Sequence, residues 1–247
     1  MDYTEKFTGL AKVYDKHRPT YGQWVVDNLE PINVVDMGAG TGIFTRDLLE
    51  LTPFRVFAVE PNADMREELQ LNLQTYIDTQ RLYVVNACAE ETPFEDQSID
   101  MVTAAMSFHW FDAARFHAEC KRILKPGGSL NLIYNSRPDD NPMAQEMIAL
   151  FKCTCPNYGG FSGGLNHALK HADSLYSHYS VLKTPRPSIF DADGWLGRNF
   201  SSSYAPREGE PTYVDFVDGL MAIFERYSVD GKITLQNNLV VIRGQIL

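Results

Sequence analysis

The sequence predicts an α/β fold: a doubly wound, mostly parallel sheet of seven strands with a helical cap. Three observations support this prediction. Apolar runs alternate with helical stretches through residues 33–135, a glycine-rich loop follows the first run, and 247 residues with 44% hydrophobic composition can bury one large core. Strands and helices alternating at this spacing are typical of right-handed βαβ units, in which the strands lie parallel.

Five strands and three helices are predicted in this first region. The predicted strands cover 33–38, 55–62, 81–87, 99–107 and 129–135. The predicted helices cover 44–52, 63–76 and 112–124. The last helix precedes "KPGG", whose proline and glycines are helix-stop signals.

We expect the whole chain, 1–247, to form a single domain, because no flexible linker is evident. Residues 1–32 are predicted to hold one or two short helices. Residues 136–228 mix Pro, Gly and Ser with helical stretches and predict a cap, with a sixth strand within 179–190. Residues 229–247 end the chain in an apolar run that predicts a last strand.

Composition excludes several classes of protein. The net charge of −10 argues against a general nucleic-acid binder, which would carry a basic surface. The sequence contains no run of about 18 apolar residues, so we predict no membrane span. The charged start "MDYTEKFTGLAKVYDKHRP" lacks the apolar core of a signal peptide, so we expect a cytoplasmic protein.

Cysteines and histidines give little indication of a metal. The four cysteines lack paired C-x-x-C spacing, and "CTC" at 153–155 could be half a metal site but has no evident second half. Three histidines, at 167, 171 and 178, are spaced to lie near one face of a predicted helix. A solvated helix face is the preferred interpretation, and we expect no metal site.

The loop "VVDMGAGTGIFT" (34–45) carries the main functional signal. Glycines let a backbone turn tightly and approach a ligand at the carboxyl end of a strand. The spacing does not fit the dinucleotide pattern G-x-G-x-x-G/A, because Ile43 occupies its sixth position, and no lysine makes it a phosphate loop. Glu60 ends the second strand and suits the two hydroxyls of a ribose, while Asp36 favours a cationic ligand. Adenosine joined to a cationic amino acid describes S-adenosylmethionine.

At this point a family resemblance emerges. Asp-x-Gly-x-Gly-x-Gly (36–42) resembles the first motif of class I S-adenosylmethionine-dependent methyltransferases, which have a Rossmann-like fold. "VEPNADM" (59–65), "AEETPFEDQSID" (89–100) and "RILKPGG" (122–128) resemble three further motifs in the same order. The resemblance implies that 33–135 is a cofactor-binding core for S-adenosyl-L-methionine, with S-adenosyl-L-homocysteine as product. The implied cofactor contacts are Asp36, Gly38, Ala39, Gly40, Thr41, Gly42, Glu60, Pro61, Met65, Cys88, Ala89, Glu90, Ala105 and Met106.

Cys88 departs from the family pattern, since many relatives have Asp at this position. A carboxylate would accept a hydrogen bond from the adenine amino group, whereas a thiol is a weak acceptor. The adenine contact is therefore expected to fall to backbone around Ala89 and to Glu90.

A narrower resemblance is to the small-molecule branch around trans-aconitate-type methyltransferases. It is carried by "YDKHRPTY" (14–21), "SFHWFD" (107–112), "SSSYAPREG" (201–209) and "FERYSVDGKITL" (224–235). It implies that His109 is a catalytic residue and that 1–32 forms a lid. The substrate residues it implies are Tyr14, Arg18, Tyr21, Trp110, Tyr204 and Arg207. A structural role is the alternative for each of these residues.

The preferred function is methyl transfer to a small-molecule acceptor by in-line displacement. A carboxylate oxygen is slightly favoured as acceptor, because it is ionised near neutral pH and needs no general base. A phenol or amine would need one, and His109 would be the candidate. A protein that binds S-adenosylmethionine without transferring the methyl group is the alternative, and a nicotinamide-dependent dehydrogenase is a distant third. We expect no nucleic-acid or membrane partner, and a monomer or homodimer.

Overall fold

The computed structural model describes residues 33–247. Their centre is a seven-stranded sheet in the order β3-β2-β1-β4-β5-β9-β6, with a separate two-stranded sheet, β7-β8. The strands are β1 (Asn33–Met37), β2 (Arg55–Val59), β3 (Leu82–Val85), β4 (Ile99–Ala105), β5 (Leu124–Ser136), β6 (Tyr176–Pro185), β7 (Ser188–Phe190), β8 (Ile233–Leu235) and β9 (Asn238–Ile246).

Strands β1 to β5 pair in parallel, and β9 runs antiparallel between β5 and β6. The predicted fold class, a mostly parallel seven-stranded sheet flanked by helices, is confirmed. The order reverses direction between β1 and β4, and ligands of open parallel sheets bind at the carboxyl ends of strands around such a switch point.

Seven α-helices lie within residues 33–247. They are α1 (Ile43–Leu51), α2 (Ala63–Asp78), α3 (Ala113–Ile123), α4 (Pro142–Thr154), α5 (Gly163–Leu175), α6 (Ala192–Phe200) and α7 (Tyr213–Tyr227). A single turn of 3₁₀ helix, Phe108–Trp110, follows β4. None of the helices in this part of the chain is both long and apolar enough to cross a membrane.

Both faces of the sheet are buried, because side chains of a strand alternate between its two faces. Val34 packs into a core with α1 and α2, and its neighbour Val35 packs into a second core with α3 and α5. Adjacent apolar residues, such as Val34 and Val35 within "NVVDM", are what a strand covered on both faces requires.

The cap has a hydrophobic core of its own. Helices α4, α6 and α7 and the β7-β8 sheet meet around Phe151, Trp195 and Phe216. Trp195 is fully buried, and its indole Nε1 donates to the carbonyl of Leu220 at 2.9 Å. The cap therefore packs as a second layer that begins directly after β5.

Several predicted boundaries differ from the structure. Strand β6 begins at Tyr176, so His178 lies on an exposed strand and does not continue the helix of His167 and His171. The predicted strand 179–190 is broken near Pro187, because proline cannot donate a ladder hydrogen bond. The final 229–247 run likewise forms two strands, β8 and β9.

The predicted loop before the fifth strand is part of that strand. Strand β5 follows α3 without an intervening residue and runs through "KPGG", whose backbone bends near Gly127 (φ +83°). The helix ends at Ile123, just before "KPGG" as predicted, but the strand starts at Leu124 and not at residue 129.

We predict that Trp195→Ala lowers the free energy of unfolding by about 3–5 kcal/mol, because it removes the largest buried side chain of the cap core. Urea unfolding measures the change. The control is Ile189→Ala, since Ile189 is 63% exposed and its loss should cost less than about 0.5 kcal/mol. Equal losses in the two variants would contradict an independent cap core.

Candidate functional site

The glycine loop turns over the end of β2. The backbone N–H groups of Gly38 and Ala39 both donate to the carbonyl of Val59, at 2.8 and 3.0 Å. Gly42 closes the turn by donating to the carbonyl of Ala39, and α1 starts at the next residue. The carboxyl ends of β1 and β2 are thereby held together beneath one loop.

The three glycines have positive φ but different surroundings. A Cβ at Gly38 would lie 2.7 Å from the Cβ of Ser107, and one at Gly42 would lie 2.9 Å from Leu69 and Leu73. A Cβ at Gly40 would meet no atom within 4 Å. Gly38 and Gly42 are therefore fixed by packing, whereas Gly40 faces open space where a ligand can approach the backbone.

Glu60 holds the loop from below with both carboxylate oxygens. Oε2 accepts from the backbone N–H of Gly40 at 2.8 Å, and Oε1 accepts from that of Asn62 at 2.9 Å. Burial raises the pKa of this carboxyl, while the two backbone donors and the nearby Arg66 lower it. A carboxylate has about four lone-pair positions, so two further donors can still be accepted.

Asp36 lies deeper, at the end of β1, and is 1% exposed. Its oxygens accept from the hydroxyls of Thr45 at 2.7 Å and Thr103 at 3.1 Å. Burial raises the pKa of Asp36 to about 6, although the two threonine bonds act to lower it and Glu60 to raise it. The site thus contains a buried carboxylate whose charge a cationic ligand would stabilise.

Cys88, Ala89 and Glu90 follow β3, at the third strand end. Cys88 is exposed, Ala89 is buried, and a carboxylate oxygen of Glu90 accepts from the backbone N–H of Asp112 at 2.8 Å. Glu90 therefore joins this turn to the start of α3.

A partly buried ion pair, Glu119–Arg122, holds the same loop further along the chain. Glu119 accepts from the backbone N–H and the hydroxyl of Thr92 and from the guanidinium of Arg122. Arg122 also donates to the carbonyl of Phe94 and to Asp96. The sequence motifs at 89–100 and 122–128 are thus joined by the hydrogen bonds of Arg122.

The end of β4 has an unusual backbone at Met106, whose φ is +57°. Its N–H donates to the carbonyl of Ile133 at 2.8 Å, and its sulfur accepts from the N–H of Asn135 at 3.2 Å. The next residue, Ser107, donates its hydroxyl to the carbonyl of Met37 at 2.6 Å. A left-handed conformation at a non-glycine residue costs energy and persists where its surroundings enforce it, as is common at functional sites.

His109 and Trp110 lie on the 3₁₀ turn that follows. Their rings are 4.7 Å apart between centroids, and the ring of His109 is 6.1 Å from that of Tyr134 on β5. A Cβ at Gly164, in the first turn of α5, would lie 2.8 Å from Nδ1 of His109. The absence of a side chain at Gly164 is what lets the imidazole fit against α5.

The structure places the remaining predicted residues in different surroundings. Tyr204 belongs to an aromatic cluster of the cap, 5.2 Å from Tyr158 between ring centroids. Arg207 is exposed, and its backbone N–H donates to Glu210. Pro61 is half-buried beside Glu60, Met65 is buried in the first turn of α2, and Thr41 and Ala105 lie at the loop and at the end of β4. Tyr14, Arg18 and Tyr21 lie outside the described residues.

Sequence reasoning missed Arg137 at the cap. It directly follows β5, is 8% exposed, and its guanidinium lies 4.4 Å from the centre of the Phe161 ring. A signal existed, because an arginine immediately after the buried run "LNLIYNS" occupies the same kind of strand end as Glu60. In residues 33–247 there is no group of three or more His, Cys, Asp or Glu arranged to hold a metal.

We predict that Gly42→Ala lowers the free energy of unfolding by about 2–4 kcal/mol, since it combines an unfavourable φ with overlap against Leu69 and Leu73. Gly40→Ala is the matched control and should cost about 1 kcal/mol, because only φ is unfavourable. Urea unfolding distinguishes them. Losses of the same size would show that packing does not separate these positions.

Asp36 predicts a pH dependence of stability. Its pKa is about 6 in the folded chain against an ordinary 3.8, so the folded state holds the proton more tightly than the unfolded chain does. The stabilisation of the folded state by this proton is fully present below about pH 4, falls as pH rises, and is lost above about pH 6. The change corresponds to roughly 3 kcal/mol.

Asp36→Asn removes that dependence. Relative to the native chain, the variant should gain roughly 3 kcal/mol of stability between pH 4 and pH 7.5, as measured by urea unfolding at several pH values. Thr45→Val is a second variant that removes one donor to the carboxylate and should move the affected pH window upward. Parallel stability curves for Asp36→Asn and the native chain would rule out a raised pKa.

Comparison with known proteins places these features in context. Residues 35–132 match the family model described as a methyltransferase domain. An uncharacterised methyltransferase of Mycobacterium tuberculosis is 36% identical over 141 residues, which are 56% of this chain and 55% of that protein. One from Schizosaccharomyces pombe is 31% identical over 185 residues, covering 72% of this chain and 68% of that protein. The chain thus spans about half the length of the mycobacterial relatives that it matches.

Two solved structures share the fold. One, described as a type II methyltransferase from Anaeromyxobacter dehalogenans, superposes with a TM-score of 0.66 at 20% identity over 93% of this chain and 98% of that chain. The YcgJ protein of Bacillus subtilis superposes with a TM-score of 0.53 at 18% identity over 95% of this chain and 97% of that chain. At these identities the likeness concerns the fold alone.

Proposed function

Because this chain belongs to the class I methyltransferase family, we propose that it transfers a methyl group from S-adenosyl-L-methionine to a small-molecule acceptor. The product of the cofactor would be S-adenosyl-L-homocysteine. The observation that carries the proposal is the pairing of Glu60 with the open backbone at Gly40, 2.8 Å from carboxylate oxygen to amide nitrogen. It brings a diol-binding group and an accessible backbone to one point of the sheet.

The residues present fit this cofactor. Glu60 retains lone pairs for two ribose hydroxyls, and Gly40 leaves room where a side chain would obstruct the ligand. The buried charge of Asp36 suits a ligand that carries an ammonium and a sulfonium. Ala89 and Glu90 would contact the adenine, and the backbone at Met106 would lie beside the methionine part of the cofactor.

When bound, S-adenosyl-L-methionine supplies an electrophilic methyl group for in-line attack by an acceptor atom. The protein's contribution is to position the acceptor and to keep water out. Trp110 and Tyr134, which flank His109, provide apolar walls for this purpose. His109 would take the proton from a phenol or an amine, whereas a carboxylate oxygen would need no base.

We predict that Glu60→Gln weakens binding of S-adenosyl-L-homocysteine about 10- to 100-fold, because a charge-assisted hydrogen bond becomes a neutral one. Gly40→Ala should abolish binding while leaving the fold intact, because its Cβ enters the open space. Isothermal titration calorimetry measures both.

The control for Glu60 is Glu67→Gln, an exposed carboxylate on α2 that should bind the ligand like the native chain. NADH is the control ligand. Tight binding of NADH, with no binding of S-adenosyl-L-methionine or S-adenosyl-L-homocysteine, would overturn the proposal. Formation of S-adenosyl-L-homocysteine with a panel of small acceptors would then test transfer itself.

A further inference from the structure

A second group of polar side chains lies at the start of the cap. Arg137 is 8% exposed, and two of its contacts are the ring of Phe161 and, at 3.7 Å, the sulfur of Met147. Removing a guanidinium from water is costly, and arginine remains charged in proteins. A buried cation stacked on an aromatic ring is a feature of anion-binding sites.

Tyr158 adds a hydroxyl to the same place. Its oxygen is buried and has no hydrogen-bond partner within residues 33–247. Its ring packs edge-on against Phe161 and Tyr204, at 5.7 and 5.2 Å between centroids. Leaving a buried hydroxyl without a hydrogen bond is costly, so this group calls for a partner that the described residues do not supply.

The electrostatics of Tyr158 keep it a donor. Burial raises the pKa of its phenol well above the ordinary value. Tyr204, Asp139 and Cys155 raise it further, while Arg137 acts in the opposite direction. A neutral phenol donates a hydrogen bond to an anion and does not compete with it for the cation.

This group lies close to the proposed methyl-transfer site. The hydroxyl of Ser162 donates to the carbonyl of Arg137 at 3.5 Å, Phe161 stacks on the guanidinium, and Gly164 packs on His109. Phe161 and Gly164 are three positions apart, so their Cα atoms are at most about 11 Å apart. Both contacts therefore lie at the start of α5.

We propose that Arg137 and Tyr158 bind an anionic group, most simply a carboxylate, of an acceptor whose apolar planar body packs on Phe161 and Tyr204. This inference rests on the proposed methyl transfer and names its substrate class. The anionic group serves to hold the acceptor, because hydrogen bonds from both side chains reduce the nucleophilicity of its oxygens. The methyl group would go to another atom of the same molecule, nearer to His109 and Met106.

Matched pairs of probes test the proposal. Each of several aromatic and aliphatic monocarboxylates, cinnamate among them, is compared with its own amide by calorimetry, with and without S-adenosyl-L-homocysteine. We expect at least one carboxylate to bind about 10-fold more tightly than its amide, and Arg137→Gln to remove that preference. Equal affinities, or no binding by any carboxylate, would overturn the proposal.

Tyr158→Phe provides the second test, which holds even if Arg137→Gln fails to fold. It should reduce carboxylate affinity about 5- to 10-fold, leave amide affinity unchanged, and leave the melting temperature equal or higher, because it removes an unsatisfied hydroxyl. Tyr227→Phe is the control, since its hydroxyl donates to Glu146 at 2.8 Å. That variant should lose stability slightly and bind the probes normally.

The outcomes separate the two proposals. Failure of S-adenosyl-L-homocysteine to bind, with the carboxylate preference intact, would refute the cofactor but keep the anion site. Normal cofactor binding, with carboxylate affinity unchanged in Tyr158→Phe, would refute the anion site alone.

Discussion

The carboxylate of Glu60 is the contact on which the site's shape depends. Its two oxygens accept from the backbone of Gly40 and Asn62, so one side chain sets both the height of the glycine loop and the start of α2. Asn62 in turn caps α2 by accepting from the N–H of Met65 at 3.0 Å. A change in this carboxylate would therefore move two elements as well as remove the group proposed to bind the ribose.

Burial makes the charged form of Asp36 energetically costly. The strand β1 is covered on both faces, so the carboxyl at its end has little access to water, and Asp36 retains an elevated pKa despite two threonine donors. Packing and the proposed function oppose each other here, since an apolar residue would be more stable at this position but would offer no charge to a cationic ligand. A positively charged ligand and this carboxylate would stabilise each other.

Much of the core could be predicted from the sequence, because its signals are local. The alternation of apolar runs and helices predicts the parallel sheet, and the glycine spacing with Glu60 locates the loop at the switch point. The cap was harder to predict. Its core joins Phe151, Trp195 and Phe216 across long intervals of sequence, and no periodicity shows which helix faces meet.

The same reason explains why sequence reasoning missed the residues of the proposed anion site. Arg137 and Tyr158 are 21 positions apart and become neighbours only through Phe161. The spacing of the histidines at 167 and 178 predicts a shared helix, but the helix ends at Leu175 and β6 begins at Tyr176. Spacing alone does not show where a helix stops when no glycine or proline marks the end.

The contact between Gly164 and His109 has a consequence for how this protein can change over generations. Any other residue at 164 would place a carbon 2.8 Å from the imidazole, so the effect of a substitution there depends on which residue occupies 109. Residues in such contact are expected to show non-additive effects, and a smaller residue at 109 would relax the restriction at 164. The two positions should therefore vary together, and the imidazole can be exchanged for another group only along mutational paths that also alter the first turn of α5.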